Sequence, residues 1–282
     1  MDALISTDWL ADHLEDGNLV ILDASLHLPQ AGRDARAEHA EGHIPGARFL
    51  DLASLHDPSS SQPGKIPDAA RVAQRLAELG IGEGDRVVLY DDSALRTACR
   101  GWVLLHLAGL QRIAVLDGGL GKWRSEGRPM EAGSGNHGAA APMDLAIARD
   151  MLRDKAQMLA NCRQREEQVV DARDAERFEG TVEDTVHNLP GGHIPGARNL
   201  PFTTLLREDG TFRPLAELRR AFEDSGIDPA RPVITTCGSG VTASVLLFAL
   251  HLLGAPSAAL YDGSWSEWGA DPATPKETGA AR

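Results

Sequence analysis

The segment EGHIPGARFL at residues 41–50 returns almost unchanged as GGHIPGARNL at residues 191–200. Three further pairs of segments repeat in the same order, at spacings of about 145–150 residues. They are VILDAS at 20–25 with QVVDAR at 168–173, VVLYDDS at 87–93 with VITTCGS at 233–239, and LDGGLGKW at 116–123 with YDGSWSEW at 261–268. Solenoid and propeller repeats are single small supersecondary units, so a period this long indicates a duplicated domain instead.

Each copy alternates short apolar runs with longer amphipathic segments. The runs at 19–22, 87–89, 113–116, 169–170 and 233–234 are typical of strands buried on both faces. A 3.6-residue apolar period predicts helices at 69–79, 215–225 and 243–253. Gly80 and Gly226 follow the first two helices, where glycine commonly ends a helix. The alternation predicts an α/β fold of two similar domains, each a largely parallel sheet flanked by helices.

The boundary between the copies is marked by a change in composition. Residues 128–141 are rich in glycine and alanine and have no apolar period. We therefore expect a first domain over residues 1–128, a linker over 129–148 and a second domain over 149–282.

Charge and composition exclude several classes of partner. The chain has 282 residues, 28 of them basic and 41 acidic, for a formal charge of −13. Without a basic cluster, neither nucleic acid nor an anionic membrane surface is an expected partner. The longest apolar runs, at 103–107 and 245–253, are far shorter than the ~20 residues of a membrane span. The expected partner is a small molecule or another protein.

The three cysteines are Cys99, Cys162 and Cys237. They form no CxxC pair, so their spacing favours neither a disulfide framework nor a zinc site. A sparse, odd number suits a reducing compartment, and the acidic N-terminal stretch is unlike a signal peptide. We therefore expect a cytoplasmic location.

The two copies disagree at one loop. The strand at 233–234 leads into CGSGVT at 237–242, which opens directly into an apolar helix, whereas the first copy has DDSALR at 91–96. A strand-to-helix turn with two glycines can point backbone N–H groups at an anion, at the positive end of the helix dipole. Such a site favours the thiolate of Cys237 and keeps it nucleophilic. A buried structural cysteine is the alternative, and we assign that role to Cys99 and Cys162.

A phosphatase loop also begins with cysteine, but it closes with an arginine that holds the phosphate oxygens. The sixth position after Cys237 is Ala243, so phosphate-ester chemistry is disfavoured.

Taken together, CGSGVTA at 237–243, HIPGA in both copies and YDGSWSEWGA at 261–270 resemble the tandem-domain rhodanese family. Within that family the similarity is to the 3-mercaptopyruvate sulfurtransferases, and it extends from about residue 8 to residue 275. The resemblance implies two α/β domains, of which only the second carries the catalytic cysteine. It also implies sulfane sulfur transfer by double displacement, without a metal or organic cofactor.

By this resemblance, Cys237 attacks the sulfur of a small donor, releases pyruvate and becomes a persulfide. A thiol, a reduced thioredoxin-like protein or cyanide then accepts the outer sulfur. We expect a monomer, although nothing in the sequence fixes the oligomeric state.

The loop and one arginine bear on the choice of donor. Thiosulfate-preferring relatives have cationic residues after the cysteine, whereas this chain has Gly238 and Ser239, which favours mercaptopyruvate. Substrate contacts are expected from Gly238 and from Gly240, Val241 and Thr242. Arg177 is the expected clamp for the donor carboxylate.

A second arginine, usual nine residues later in mercaptopyruvate enzymes, is replaced by Val186, which His187 and Asn188 follow. Two alternatives therefore remain open. One is a thiosulfate sulfurtransferase, and the other is a persulfide carrier that takes its sulfur from a protein.

Three further residues are expected by the resemblance to form a relay: Ser239, His43 and Asp34. Ser239 would polarise the donor or pass a proton to the leaving enolate, or else simply cap the helix. Because HIPGA occurs in both copies, His43 and His193 have a structural role in the turn as the competing interpretation.

Overall fold

The computed structural model describes the chain except for residues 61, 63, 134, 136, 137 and 282. The chain divides into two compact units. The first unit comprises Met1–Pro58, Ile66–Ile147 and Glu208–Phe212, and the second Ser59–Lys65, Ala148–Arg207 and Arg213–Arg282. Residues 134, 136 and 137 of the predicted linker lie outside the described residues, as do 61, 63 and 282 of the predicted domains.

The first unit contains a five-stranded sheet in which every strand pairing is parallel, in the order β1-β5-β4-β2-β3. Its strands are β1 (Leu4–Ile5), β2 (Leu19–Asp23), β3 (Arg48–Phe49), β4 (Arg86–Tyr90) and β5 (Ile113–Leu116). Its helices are α1 (Thr7–Asp12), α2 (Ala35–Glu41), α3 (Ala69–Glu78), α4 (Ala98–Leu107) and α5 (Gly119–Ser125), with a 3-10 helix at Pro29–Ala31.

The second unit repeats this arrangement, with the all-parallel order β6-β10-β9-β7-β8. Its strands are β6 (Leu152–Arg153), β7 (Gln168–Asp171), β8 (Arg198–Asn199), β9 (Val233–Thr236) and β10 (Ala258–Tyr261). Its helices are α6 (Lys155–Gln164), α7 (Ala175–Glu179), α8 (Leu215–Asp224), α9 (Ala243–Leu252) and α10 (Ser264–Trp268), with 3-10 helices at Arg149–Met151 and Phe202–Leu205.

These elements confirm the predicted fold class. The three predicted helices appear as α3, α8 and α9, and Gly80 and Gly226 follow the first two with φ of 67° and 85°. Such left-handed backbone suits glycine, so the sequence signal for the helix ends has a conformational cause.

The middle strand of each sheet leads into its most apolar helix. All residues of β9 are buried, and so are the residues of α9 from Ala243 to Leu250. A helix that is apolar on all sides must lie inside the protein rather than at its surface. The loop between β9 and α9 therefore joins two buried elements at the carboxyl edge of the sheet, where open α/β folds bind ligands. Within the described residues, no helix combines the length and apolarity that a membrane crossing demands.

The corresponding loop of the first unit is closed by its own aspartate. Asp91 follows β4, and its Oδ2 accepts the N–H groups of Ser93 and Thr97, each at 3.0 Å. Burial raises the pKa of the Asp91 carboxyl to about 6, against the opposing effects of Arg96 and the N–H bonds. The N–H groups that begin α4 are thus met by a side chain of the chain itself.

Replacing Asp91 with asparagine is expected to change how stability depends on pH. Because folding raises this pKa from 3.8 to about 6, the favourable contribution is complete below about pH 4 and is lost as pH rises through 6. A neutral amide avoids that loss, and its oxygen still accepts both N–H bonds. Relative to wild type, the Asp91→Asn free energy of unfolding should gain on the order of 3 kcal/mol between pH 4 and pH 8. Urea unfolding at several pH values measures this, and a difference that does not vary with pH would contradict it.

Candidate active site

Cys237 directly follows β9 and is held on several sides by backbone groups. The Gly240 N–H lies 3.1 Å from Cys237 Sγ, and the Cys237 N–H donates to Ser264 Oγ at 3.2 Å. The Cys237 carbonyl accepts the Trp265 N–H at 2.9 Å, as the Asp91 carbonyl accepts the Leu120 N–H at 3.0 Å in the first unit. Cys237 and Asp91 therefore occupy equivalent positions, and the thiol is only 2% exposed.

Ser264 is a site residue that the sequence reasoning missed. It is fully buried, with a φ of 51°, where a residue other than glycine is uncommon. Gly119 occupies the equivalent position in the first unit, with a φ of 57°. A serine held in that conformation costs free energy, and such outliers gather at functional sites. Its hydroxyl accepts the Cys237 N–H, and a glycine at this position would offer no such acceptor.

The other loop residues predicted for the site surround Cys237 in the chain. Ser239, Val241 and Thr242 are half-buried, and Gly240 has a φ of 83°. The alternative role of Ser239 as a helix cap is wrong, because the N-cap of α9 is Thr242, which makes no side-chain capping bond. The Ser239 hydroxyl is therefore not committed to the helix end.

Asp184 gathers two arginines and a histidine beside this loop. It is fully buried, and His187 Nδ1 lies 3.0 Å from its Oδ1. Arg177 and Arg173 each place a guanidinium nitrogen 3.6 Å from a carboxylate oxygen of Asp184. Burial alone would raise the pKa of Asp184, but His187 and the two arginines outweigh it and lower the pKa to about 2. Asp184 is therefore a permanent anion that fixes the positions of its partners.

Arg173 is almost fully buried and adjoins both Asp184 and α10. Its Nη2 donates to Asp171 Oδ2 and to the Gly192 carbonyl, each at 2.7 Å, and its guanidinium lies 4.7 Å above the Trp265 ring. Burial lowers the pKa of Arg173, but the charges of Asp171, Asp184 and Cys237 outweigh burial and raise it. A fixed positive charge therefore lies close enough to interact with the Cys237 sulfur.

Arg177, the residue predicted to bind the donor carboxylate, is partly accessible to solvent. Its Nε donates to Asp174 Oδ2 at 2.6 Å, and its side chain is 24% exposed. Asp184 lies between Arg177 and His187, so one buried carboxylate connects the arginine to the loop side of the site.

His187 packs against Gly238, the loop residue that follows Cys237. A methyl group built on Gly238 would come within 2.0 Å of His187 Cε1 and 2.7 Å of Nε2. Only a residue without a side chain lets the imidazole approach the backbone so closely. From the sequence, His187 was only part of a departure from the family pattern, with no predicted role.

The two HIPGA histidines share one structural arrangement. His43 Nδ1 donates to the His39 carbonyl at 2.7 Å, and His193 Nδ1 donates to the Phe178 carbonyl at 2.8 Å. Each ring is buried and stacked on an aromatic neighbour, at 4.1 Å for His43 and 3.9 Å for His193. This shared geometry accounts for the repetition of the motif in both units.

Asp34 is exposed and begins α2, where its Oδ1 accepts the N–H groups of Arg36 and Ala37. The hydrogen bonds described for Asp34 and His43 thus run to backbone groups rather than to each other. Both residues belong to the first unit and Ser239 to the second, so the relay among them stays a prediction.

The other two cysteines lie within helices. Burial raises the pKa of the Cys99 thiol in α4, and burial also raises that of Cys162 in α6. Neither thiol is activated by its surroundings. In the part of the chain that the structure describes, no cluster of three or more His, Cys, Asp or Glu side chains could hold a metal ion.

The signal for Ser264 was present in the aligned repeats, because serine replaces a glycine there. The same comparison of the repeats singles out Arg173, because it replaces Ser25 of the first copy. Asp184 and His187 carry no such signal, because their segment is not among the four pairs that repeat between the copies.

Comparisons with known proteins agree with the repeat. The family model described as Rhodanese-like domain matches residues 6–126 and 154–271. The chain is 38% identical over 280 residues to the 3-mercaptopyruvate sulfurtransferase of Escherichia coli strain K12, covering 97% of each protein. It is 38% identical over 272 residues to the thiosulfate sulfurtransferase of Gallus gallus, covering 94% of this chain and 93% of that protein.

Among solved structures, the chain is similar to that of SseA from Escherichia coli, described as a 3-mercaptopyruvate sulfotransferase with the rhodanese fold. The TM-score is 0.85 at 35% identity, over 94% of this chain and 99% of that one.

Substituting Gly238 by alanine is expected to destabilise the protein. The new methyl group must displace His187, which Asp184 holds, and overpacking of this kind costs about 1–3 kcal/mol. Gly121 is the matched control, because a methyl group there meets no atom within 4 Å and alanine favours its helix α5. Urea unfolding of both variants measures the difference. Equal stability of the two variants would show that the ring does not pack on the loop.

Proposed function

The chain belongs to the rhodanese family, and we propose that it transfers sulfane sulfur from 3-mercaptopyruvate to a thiol or cyanide acceptor through a persulfide on Cys237. One observation carries this proposal. The Gly240 N–H and the amino end of α9 surround a thiol in the second unit, where the first unit places the Asp91 carboxylate. Sulfur transfer requires a polarisable nucleophile that is stable as an anion, and only the second unit supplies one.

The first half-reaction forms the persulfide. The Cys237 thiolate attacks the donor sulfur, and the new S–S bond forms as the C–S bond breaks. The electron pair of the broken bond leaves as the enolate of pyruvate, which becomes pyruvate on protonation. The Gly240 N–H and the nearby charge of Arg173 stabilise the sulfur anion before and after transfer.

The donor is bound by the loop and by Arg177. The partly exposed guanidinium of Arg177 is suited to a carboxylate, and Asp184 keeps it on the side of the site that His187 occupies. Gly238 and Gly240 let the donor approach the backbone, with Val241 and Thr242 completing the loop. The free hydroxyl of Ser239 offers a hydrogen bond to the donor carbonyl.

The second half-reaction returns Cys237 to its thiolate. A thiol, a thioredoxin-like protein or cyanide attacks the outer sulfur, and the S–S bond breaks with its electron pair on Cys237. Sulfurtransferase activity requires such a donor and acceptor. The free cysteines of the chain suit a reducing, cytoplasmic setting, and a monomeric state stays a prediction.

Thiosulfate is the second candidate donor. Val186 stands where a second arginine is expected, and that absence weakens the case for a dedicated carboxylate clamp. A thiosulfate sulfurtransferase is also among the similar proteins. The neutral Gly238 and Ser239 next to the nucleophile favour mercaptopyruvate over this dianion.

Replacing Cys237 with serine is expected to abolish turnover, to below a few per cent of wild type, because a hydroxyl neither ionises at neutral pH nor carries sulfane sulfur. Incubating wild type with mercaptopyruvate and no acceptor should add one sulfur atom at Cys237, detected by mass spectrometry of the peptides. Cys162→Ser serves as the control and should retain activity, since that thiol lies in α6 away from the loop. Labelling of Cys99 or Cys162 in place of Cys237 would refute the proposal.

Truncating Arg177 to alanine is expected to raise KM for mercaptopyruvate by about 10-fold or more, because a charge-assisted hydrogen bond to a carboxylate is lost. In wild type, kcat/KM should be higher for mercaptopyruvate than for thiosulfate, and both constants are measured on one preparation. Arg220→Ala, on the exposed surface of α8, is the matched control. An unchanged KM would remove Arg177 from the site, and a preference for thiosulfate would select the second candidate.

A further inference from the structure

His187 sits on a rigid turn. Asp184 and Leu189 face each other in an antiparallel bridge, and the four residues between them form the turn. Asn188 has a φ of 54°, a conformation that asparagine tolerates better than most residues. The next residue, Pro190, accepts the Trp265 Nε1–H at 2.9 Å, which ties the turn to α10. The imidazole is therefore positioned by its backbone before any ligand binds.

The two ring nitrogens of His187 have different surroundings. Nδ1 lies 3.0 Å from Asp184 Oδ1, so the carboxylate accepts the Nδ1 proton. The Cε1 edge of the ring, between the two nitrogens, lies against Gly238, the residue after Cys237, where an added methyl group would lie 2.0 Å from Cε1, 2.7 Å from Nε2 and 2.9 Å from Nδ1. The His187 side chain is 14% exposed, so it also reaches solvent. In the imidazolium form each ring nitrogen carries a proton, so with Nδ1–H donated to Asp184 the Nε2–H is left to act as a proton donor.

Persulfide formation from mercaptopyruvate produces a leaving group that must take a proton. The C–S electron pair leaves on carbon as an enolate, a strong base, and general acid catalysis of such steps typically contributes about 10²–10⁴-fold. Sulfite, the leaving group from thiosulfate, is a stable anion and has no such need. A proton donor beside the Cys237 loop is therefore useful for one donor and superfluous for the other.

We propose that His187, oriented by Asp184, is the general acid that protonates the pyruvate enolate released at Cys237. The inference rests on the proposed function. As the Cys237–sulfur bond forms and the C–S bond breaks, Nε2–H transfers its proton to the enolate, which becomes pyruvate, and His187 becomes neutral. The donor's own thiol proton stays on the outer sulfur of the persulfide. Solvent then returns a proton to Nε2.

The other polar groups of the site are less suited to this step. Arg173 and Arg177 stay protonated throughout the accessible pH range, so they stabilise charge but do not give up protons. The hydroxyl of Ser239 is neutral and can pass a proton only by taking one from another group. Asp184, the partner of His187 on its own turn, also lies 3.6 Å from Arg177 of α7 and from Arg173 after β7. Gly238, against which the ring packs, follows Cys237.

The test separates the two half-reactions of His187→Asn. The asparagine amide can still donate to Asp184, whereas the nitrogen that carries the transferable proton is gone. Rapid mixing with mercaptopyruvate should show pyruvate release slowed about 100-fold relative to wild type. Protein loaded by long incubation and then desalted should pass its sulfur to cyanide within about twofold of the wild-type rate, because that step involves no enolate. His56→Gln, at a half-buried histidine of the first unit whose Nδ1 bonds to the Ala53 carbonyl, is the control and should match wild type in both steps.

The pH dependence and the second donor provide readouts that a merely structural role would not move. Pyruvate release by wild type should fall as pH rises and Nε2 loses its proton, and His187→Asn should lack that decline. With thiosulfate, loading of His187→Asn should stay close to wild type.

Each outcome decides the matter. Equal slowing of both half-reactions, or of both donors, would mean that the substitution disturbs the loop, and the acid role would be wrong. Wild-type pyruvate release in His187→Asn would overturn the acid role and leave the proposed function intact. Absence of pyruvate release by wild type itself would overturn the donor assignment, and the role of His187 would fall with it.

Discussion

The N–H groups at the amino end of a buried helix need a hydrogen-bond acceptor. In each unit the residue directly after the middle strand provides one. In the first unit the Asp91 carboxylate accepts the N–H groups of Ser93 and Thr97. In the second unit the sulfur of Cys237 receives the Gly240 N–H. The same geometric demand is therefore met by a carboxylate in one unit and by a sulfur in the other. The proposed reaction uses that sulfur as its nucleophile.

A second constraint shapes the surroundings of the loop. Asp184 is fully buried and ionised, and a buried carboxylate is stable only among cations and hydrogen-bond donors. Arg173, Arg177 and His187 meet that requirement from three separate segments of the chain. In an acidic protein this local group supplies the positive charge that an anionic donor requires. The two arginines thus place positive charge at this site although the net charge of the chain is −13.

The sequence predicted the fold class well because the signals involved are local or repeated. Strand and helix patterns depend on residues that are close in the chain, and so do Gly80 and Gly226 at the helix ends. The HIPGA segments are visible as direct repeats. Cys237 could be proposed as the nucleophile from the sequence because the repeats differ there. The Asp184 and His187 pair was not predictable, because its meaning depends on a contact between a turn after α7 and the loop after β9, about 50 residues away in the chain. No periodicity or spacing encodes such a contact.

Three substitutions between the repeats separate what the fold needs from what the chemistry needs. Asp91 becomes Cys237, Gly119 becomes Ser264, and Ser25 becomes Arg173. The first change supplies the proposed nucleophile, the second an acceptor for the Cys237 N–H, and the third a cation whose charge acts on the sulfur. By contrast, the two HIPGA histidines keep the same hydrogen bond and stacking in both units. These histidines thus serve the fold in both copies, whereas the three substitutions change the surroundings of Cys237. Ser264 holds a costly backbone conformation, in which its hydroxyl accepts the Cys237 N–H and donates to the Tyr261 carbonyl.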